Sequence, residues 1–467
     1  MTPTRRAAPA SRLRRLARRR LDSVRAVADA RWGPPREDDR PVYLVAPAGH
    51  PNHGDEQLLA GWLRFLRHRL PGTPVVVDCH TPGQAAVLHH AEHPDVVFTD
   101  TLWRLAGEHG AHAAIADSAT PAAAAAIESC RHAVRDLGVR PELGSGLALL
   151  RRASVVHLVG GGYVNDQWPH HLGVVAAAGE AGRLAGARVV ATGQGFVPCG
   201  DARRLAEALR EFDLVTVRDA ASAELLAGTG VPVRLLADDG WLALGAAGPV
   251  EAGDHPVYSD DPDACRDLVL CAQSDLVDPV ALADAVARVL AAWAVPGERI
   301  TVVESIPGGD RVVWDRVCER AAAASRVASG SPAGAGPGEG DDDEVGLALA
   351  ALRLPRARFV PFLELWDTGL PVRPGQVWLT TRFHPHLFGA ARGASGLTLR
   401  AGSDYYDVKH ESLADAGSPW PSLQVGASGV GAPPPLESVR SVGGFDPGVV
   451  AQRVGTAEAL AEEIYAR

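Results

Sequence analysis

Arg382, His384 and His386 close a short apolar run, VWLTTRFHPHLFGAARG from Val377 to Gly393, just before small helix-forming residues resume. The pattern reads as strand, polar turn and helix. An arginine and two histidines at the carboxyl end of a strand, ahead of a helix N-terminus, make an anion site where α/β sheets place their ligands. Arginine grips a carboxylate or phosphate with two parallel hydrogen bonds, and histidine moves a proton near neutral pH. Lys409, beside His410 and soon after the next strand pattern, adds a point charge.

The first half of the chain supplies complementary types. In HPNHGDEQLL, Asp55 and Glu56 fall in the first turn of a predicted helix, so capping and catalysis are both open to Asp55. The strand ending in ASVVHLVGGGYVNDQW runs into Gly160, Gly161 and Gly162, which allow backbone N–H groups to approach an anion. They match neither a Walker loop nor a dinucleotide fingerprint, and an ordinary tight turn accounts for them equally. Gly193, Gln194 and Gly195 repeat the strand-to-glycine pattern, and Arg218 closes another strand with Asp219 and Asp238 as alternative ion-pair partners.

These residues need two sheets to hold them. The 467 residues are 46% hydrophobic and 22% charged, enough for two domains with separate cores. Strand patterns at Val42, Thr73–His80, Asp95–Asp100, Ala153, Ala187 and Asp213 alternate with helical stretches, which predicts a parallel α/β sheet over 41–245. A Gly/Pro/Asp-rich linker follows from Gly245 to Asp263, then a second α/β domain over 263–417 with strands at Asp267–Gln273, Arg299–Pro307, Arg358–Trp366 and Val377. A disordered loop is expected at 328–344, and a Pro/Gly-rich segment with a closing helix at 418–467.

The formal net charge of -10 argues against a nucleic-acid surface. The basic excess is confined to 1–40, read either as a solvated leader or as an amphipathic helix making peripheral contact with anionic lipid. No long apolar run follows it, so a cytoplasmic protein is expected, with the inner face of the membrane as the alternative address. Six scattered cysteines without a CxxC pair suggest free buried thiols, and His80, His89, His90 and His93 read as solvated surface histidines rather than a metal site.

In order along the chain, HPNHGDEQLL, VGGGYVNDQW, GQGFVP, VTVRDAASAELL, ADDGWLAL, TTRFHPHLFGA and YYDVKHESL resemble the polysaccharide pyruvyl transferase family, from about Val42 to Leu413. Each motif is weak alone; together and in register they are specific. The resemblance implies two Rossmann-like domains facing a cleft, GT-B-like, with phosphoenolpyruvate as donor and a saccharide as acceptor. The product would be a pyruvate ketal on a cell-surface polysaccharide or its precursor. It implies Arg218, Arg382 and His384 on the donor side, with Asp55 and Gly160 to Gly162 lining the acceptor side or shaping the cleft. On this account His384 is the proton donor, Asp55 the base, Lys409 a further phosphate contact and His386 an assistant to or substitute for His384. No cofactor and no metal is required. The chain departs from the family pattern at Pro385 and at Gly393-Ala394-Ser395. Residue types alone leave open a GT-B glycosyltransferase using a nucleotide-sugar, a non-catalytic glycan-binding relative, or a merely structural Arg382 salt bridge.

Overall fold

Runs such as VYLV, VVVD, LVLC and VWLT are buried at every residue rather than at alternate ones, which is the mark of strands covered on both faces. In the computed structural model they form the middles of two sheets. The structure describes residues 40–110, 121–245, 255–273, 278–329, 340–400, 404–426 and 429–466. The arginine-rich start and the core of the expected loop, 330–339, lie outside the described residues.

The first sheet comprises β1 (Val42–Val45), β2 (Val75–Asp78), β3 (Val96–Thr99), β4 (Val155–Leu158), β5 (Arg188–Gln194), β6 (Leu214–Val217) and β7 (Val233–Leu235). Its spatial order is β3-β2-β1-β4-β5-β6-β7, and its paired strands are parallel. The second comprises β8 (Leu268–Cys271), β9 (Ile300–Val303), β10 (Arg358–Val360), β11 (Val377–Thr380), β12 (Ser395–Arg400), β13 (Ser422–Gly426) and β14 (Gly429–Val430), in the order β10-β9-β8-β11-β12-β13-β14. Among the described residues only the β13–β14 pair is antiparallel. In each sheet the strand order reverses at one place, β1/β4 and β8/β11, and the crevice beyond those carboxyl ends is where a ligand fits. The two Rossmann-like domains face each other across a cleft in a GT-B-like arrangement.

Two apolar seams hold the domains together. Trp241 of the first domain shares a cluster with Leu387, Phe388 and Phe445, and Ala60 and Leu88 pack with Phe362 and Trp366. The closing helix, Pro447–Tyr465, returns to the first domain, where Tyr465 is buried and its hydroxyl lies 2.8 Å from His157 Nδ1.

Four sequence expectations need correction. The strand expected over Arg358–Trp366 stops at Val360, because Pro361 has no N–H for the ladder and starts the helix Phe362–Thr368 instead. The last residues of the loop expected at 328–344 belong instead to the helix Gly340–Ala351, whose Leu349 buries in the second core. The second domain extends past 417, since β13 pairs with β12 and Trp420 fits against Gly396 and Gly389. His89 and His93 are buried rather than solvated, and His89 Nε2 lies 2.7 Å from Glu56 Oε2.

Candidate active site

The turn after β11 places Arg382 at the N-cap of the helix Phe383–Ala391. Pro385 sits in its first turn, where a missing N–H is tolerated, so this departure leaves the helix start in place. Arg382 is buried and donates through Nε to both carboxylate oxygens of Asp310, at 3.1 and 3.0 Å, with a further bond from Nη2. Asp310 also accepts from the N–H groups of Ser305 and Ile306 at 2.7 and 3.1 Å. Burial lifts the Asp310 carboxyl above its ordinary value even though Arg382 pulls it down.

His384 reaches across the cleft to the start of the helix His53–Arg69, where Gly54 has no side chain to obstruct it. A Cβ built on Gly54 would lie 1.9 Å from His384 Nδ1. His384 Nε2 lies 3.5 Å from Asp238 Oδ1, and Asp238 Oδ2 accepts from Arg218 Nη1 at 2.9 Å. Burial opposes ionisation of Asp238, but its bond to His384 and the charges of His384 and Arg218 outweigh this and hold the carboxyl well below the usual carboxylate range. Asp238 therefore stays ionised beside the imidazole. Asp219, the other partner open to Arg218, instead caps the helix Ala220–Leu225 by accepting from Ser222 N at 2.7 Å.

The glycine motifs make room for two side chains. Cβ atoms on Gly162 and Gly195 would stand 2.9 and 3.0 Å from the Arg218 guanidinium, whose flank also rests 4.5 Å from the Phe383 ring centre. Cβ atoms on Gly160 and Gly193 would meet Asp239 at 2.9 and 2.8 Å. Asp239 Oδ2 accepts from Trp62 Nε1, Gly160 N and Thr192 Oγ1 at 2.7, 2.8 and 2.6 Å, so it ties a helix, a glycine turn and β5 together. Burial pushes its carboxyl up to about 6.

Asp55, Gly162, Arg218, Arg382, His384 and Lys409 line one cleft of about 570 Å³. The ideal Cβ of Gly162 would stand 3.2 Å from Lys409 Cε, which brings Lys409 and Arg218 to the same wall. Asp55 accepts from Asn52 Nδ2 at 2.8 Å. Burial raises its carboxyl, against the pull of His384 and Lys409. Among the described residues no group of three or more metal-ligating side chains is found.

Three sequence candidates stand elsewhere. The Gly160 N–H is taken by Asp239 rather than offered to an anion, and Gly161 bridges to Gln194, with its N–H on Gly193 O at 3.3 Å. His386 turns away from the cleft into a buried chain. His410 Nε2 lies 3.1 Å from the Thr381 carbonyl, which only accepts, so His410 carries its proton there and presents a bare Nδ1 to His386 Nδ1, 3.1 Å away. His386 Nε2 then accepts from Ser418 Oγ at 2.6 Å. Burial lowers both imidazoles, His410 to about 4, so the chain is neutral. Asp238 and Asp310, which hold the cationic residues, carry little signal on their own in sequence; the nearest is their place just after strand patterns, in ADDGW and SIPGGD.

The sequence model of polysaccharide pyruvyl transferases matches residues 52–295, more than half of the chain. The chain belongs to the polysaccharide pyruvyl transferase family. The match takes in Asp55, the glycine turns, Arg218 and Asp238, while Arg382, His384 and Lys409 come from the part beyond it. No curated protein matches in sequence. Among solved structures, the chain is similar to Anabaena HepE in complex with UDP-glucose at 11% identity and TM-score 0.39, over 91% of this chain and 95% of that one. It is also similar to Staphylococcus aureus MnaA with UDP, at 12% identity and TM-score 0.42 over 92% and 93%. Escherichia coli ADP-heptose LPS heptosyltransferase II gives 10% identity and TM-score 0.34 over 90% and 99%. At such scores these likenesses carry no functional weight. No helix among the described residues is long and apolar enough to cross a membrane.

Proposed function

We propose that this pyruvyl transferase family member moves pyruvate from phosphoenolpyruvate onto two hydroxyls of a saccharide. The observation that carries the reading is the convergence of Arg218, Arg382 and Lys409 with His384 and Asp55 on one cleft. Phosphoenolpyruvate is a small trianion, and three fixed cations from both domains match its carboxylate and phosphate. His384, set beside Asp238, protonates the methylene carbon. Asp55 takes the proton of a sugar hydroxyl as its oxygen bonds to the adjacent carbon. The carbon–oxygen bond to phosphate then breaks, and a second hydroxyl closes the ketal. Of the two hydroxyl protons, one balances the new methyl group and the other leaves with phosphate.

Calorimetric titration with phosphoenolpyruvate should show saturable binding at millimolar strength or tighter, about -4 kcal/mol or better. Lys409→Gln should weaken it at least fivefold. Saturable binding of a uridine or guanosine sugar with none of phosphoenolpyruvate would sink the reading in favour of a glycosyltransferase.

Asp55 also fixes a pH signature. As a base it must be ionised, so turnover falls below its carboxyl pKa, and that acid limb lies above the ordinary carboxylate range because burial raises the group. A carboxyl raised on folding contributes stability that is present below its unfolded value of 3.8 and is lost as pH rises through the folded value. Asp55→Asn should therefore lower turnover at least 100-fold, remove the acid limb and leave the protein more stable to urea at pH 7. A variant that keeps both turnover and limb rules Asp55 out as the base.

A further inference from the structure

Among the described residues, the charged side chains on the cleft lining are Asp55, Arg218, Arg382 and Lys409, with His384 beside them; the rest of that described lining carries no carboxylate and no permanent cation. A three-carbon phosphate leaves most of about 570 Å³ unfilled. Across the first domain's side of the cleft runs a series of rings. Trp168 lies parallel to His171 at 6.2 Å, His171 lies 5.9 Å from His80, and His80 lies 6.4 Å from His50. His170 adjoins His171 at 4.3 Å.

We propose that this wall of Trp168, His170, His80 and His50 is the subsite for the saccharide acceptor, seating one pyranose ring with its C–H face on the Trp168 indole. The proposal rests on the pyruvyl transferase reading and names the acceptor half of the same site. Three features support it. Hydroxyl groups need partners that both donate and accept, and a neutral imidazole offers one of each. Burial pushes His80 down to about 4 and lowers His170, so near neutral pH these two rings neither compete for the donor's charges nor repel the cationic end. An indole offers a flat apolar face whose π-electrons favour the slightly positive C–H groups of a pyranose.

The wall is also built in advance. His171 is buried and donates Nδ1–H to the Tyr163 carbonyl at 2.6 Å. His80 lies 3.8 Å from the buried Trp103 ring. Asn165 fastens the turn that delivers Trp168, with Nδ2 donating to Gly162 O at 2.9 Å and Oδ1 accepting from Gln167 N at 2.9 Å. The same turn thus sets Gly162 against Arg218 and brings Trp168 to the cleft lining, so donor and acceptor halves share one positioning loop. A rigid shelf of this kind spares a ligand the entropy of ordering it.

The test uses the full chain with two probes. Saturation-transfer NMR with methyl β-galactopyranoside, methyl β-glucopyranoside and methyl β-mannopyranoside should show transfer to ring C–H protons of at least one glycoside. Trp168→Ala and His80→Ala should each reduce that transfer at least threefold. In both variants phosphoenolpyruvate affinity, read by calorimetry, should stay within twofold of the native value. Absence of transfer from all three glycosides in the native protein, or transfer that survives both substitutions, overturns the proposal. Transfer that is lost in the variants while the native protein ignores phosphoenolpyruvate leaves the sugar subsite standing and removes the donor reading instead.

Discussion

Arg382→Ala should abolish phosphoenolpyruvate binding and also weaken the second domain by about 3–5 kcal/mol, because truncation removes one partner of a buried ion pair. The Arg382 and Asp310 side chains are only 5% and 1% exposed. Once the guanidinium is gone, the Asp310 carboxylate keeps two backbone donors but has lost its counter-charge. A loss of donor affinity in this variant would therefore mix a site effect with a folding effect. The double substitution Arg382→Ala with Asp310→Asn separates them, since removing the stranded charge restores much of the stability without restoring the clamp. Urea unfolding and calorimetry on the native protein and the two variants give the comparison: stability should fall and then recover, while binding stays absent. Recovery of donor binding in the double variant, or native affinity in Arg382→Ala, would show that Arg382 serves the fold alone.

Gly54→Ala is expected to lower phosphoenolpyruvate-dependent phosphate release at least 100-fold without unfolding the protein. The new methyl group would overlap the His384 ring, at 1.9 Å from Nδ1, 2.5 Å from Cγ and 2.8 Å from Cβ. Relief demands that the ring swing out or the domains part, and a displacement of about 1 Å in a proton donor can remove two orders of magnitude in rate. Gly54 lies in the first turn of a helix without a left-handed φ, so alanine by itself would favour the helix by roughly 0.5–1 kcal/mol. The substitution thus stabilises locally and harms only the site. If His384 is the group displaced, Gly54→Ala added to His384→Gly, which lacks the Cβ as well as the ring, changes nothing further. An active Gly54→Ala enzyme would mean that His384 does its work from another position or does none.

Much of this architecture was legible from residue patterns. Unbroken apolar runs between helical stretches announced parallel strands, and the abrupt change from VWLTT to Arg382 and His384 announced a strand end with a charge to hold. What stayed hidden were the partners. Asp310 is 72 residues from Arg382 and Asp238 is 146 from His384, and nothing in local periodicity ties such positions together. The glycines misled for a related reason: only Gly162 of the three faces the cleft, because Asp239, from a distant turn, claims the Gly160 N–H. His386 shares a helix with His384 but sits two residues on, about 200° around the axis, and so enters the core. The element boundaries that moved, at Pro361 and around Trp420, did so through a missing donor and a long-range packing contact respectively.

The chain of His410, His386 and Ser418 has a use beyond the fold. Each of its two imidazole protons is held between buried heavy atoms, so both are expected to exchange slowly with solvent and to give resolved signals downfield of the amide envelope. One of them ends on the carbonyl of Thr381, the residue before Arg382. A guest that draws on Arg382 tugs at that carbonyl through a single peptide unit. A one-dimensional proton spectrum should therefore show this pair of signals shift as phosphoenolpyruvate is added, a readout that needs no isotope label.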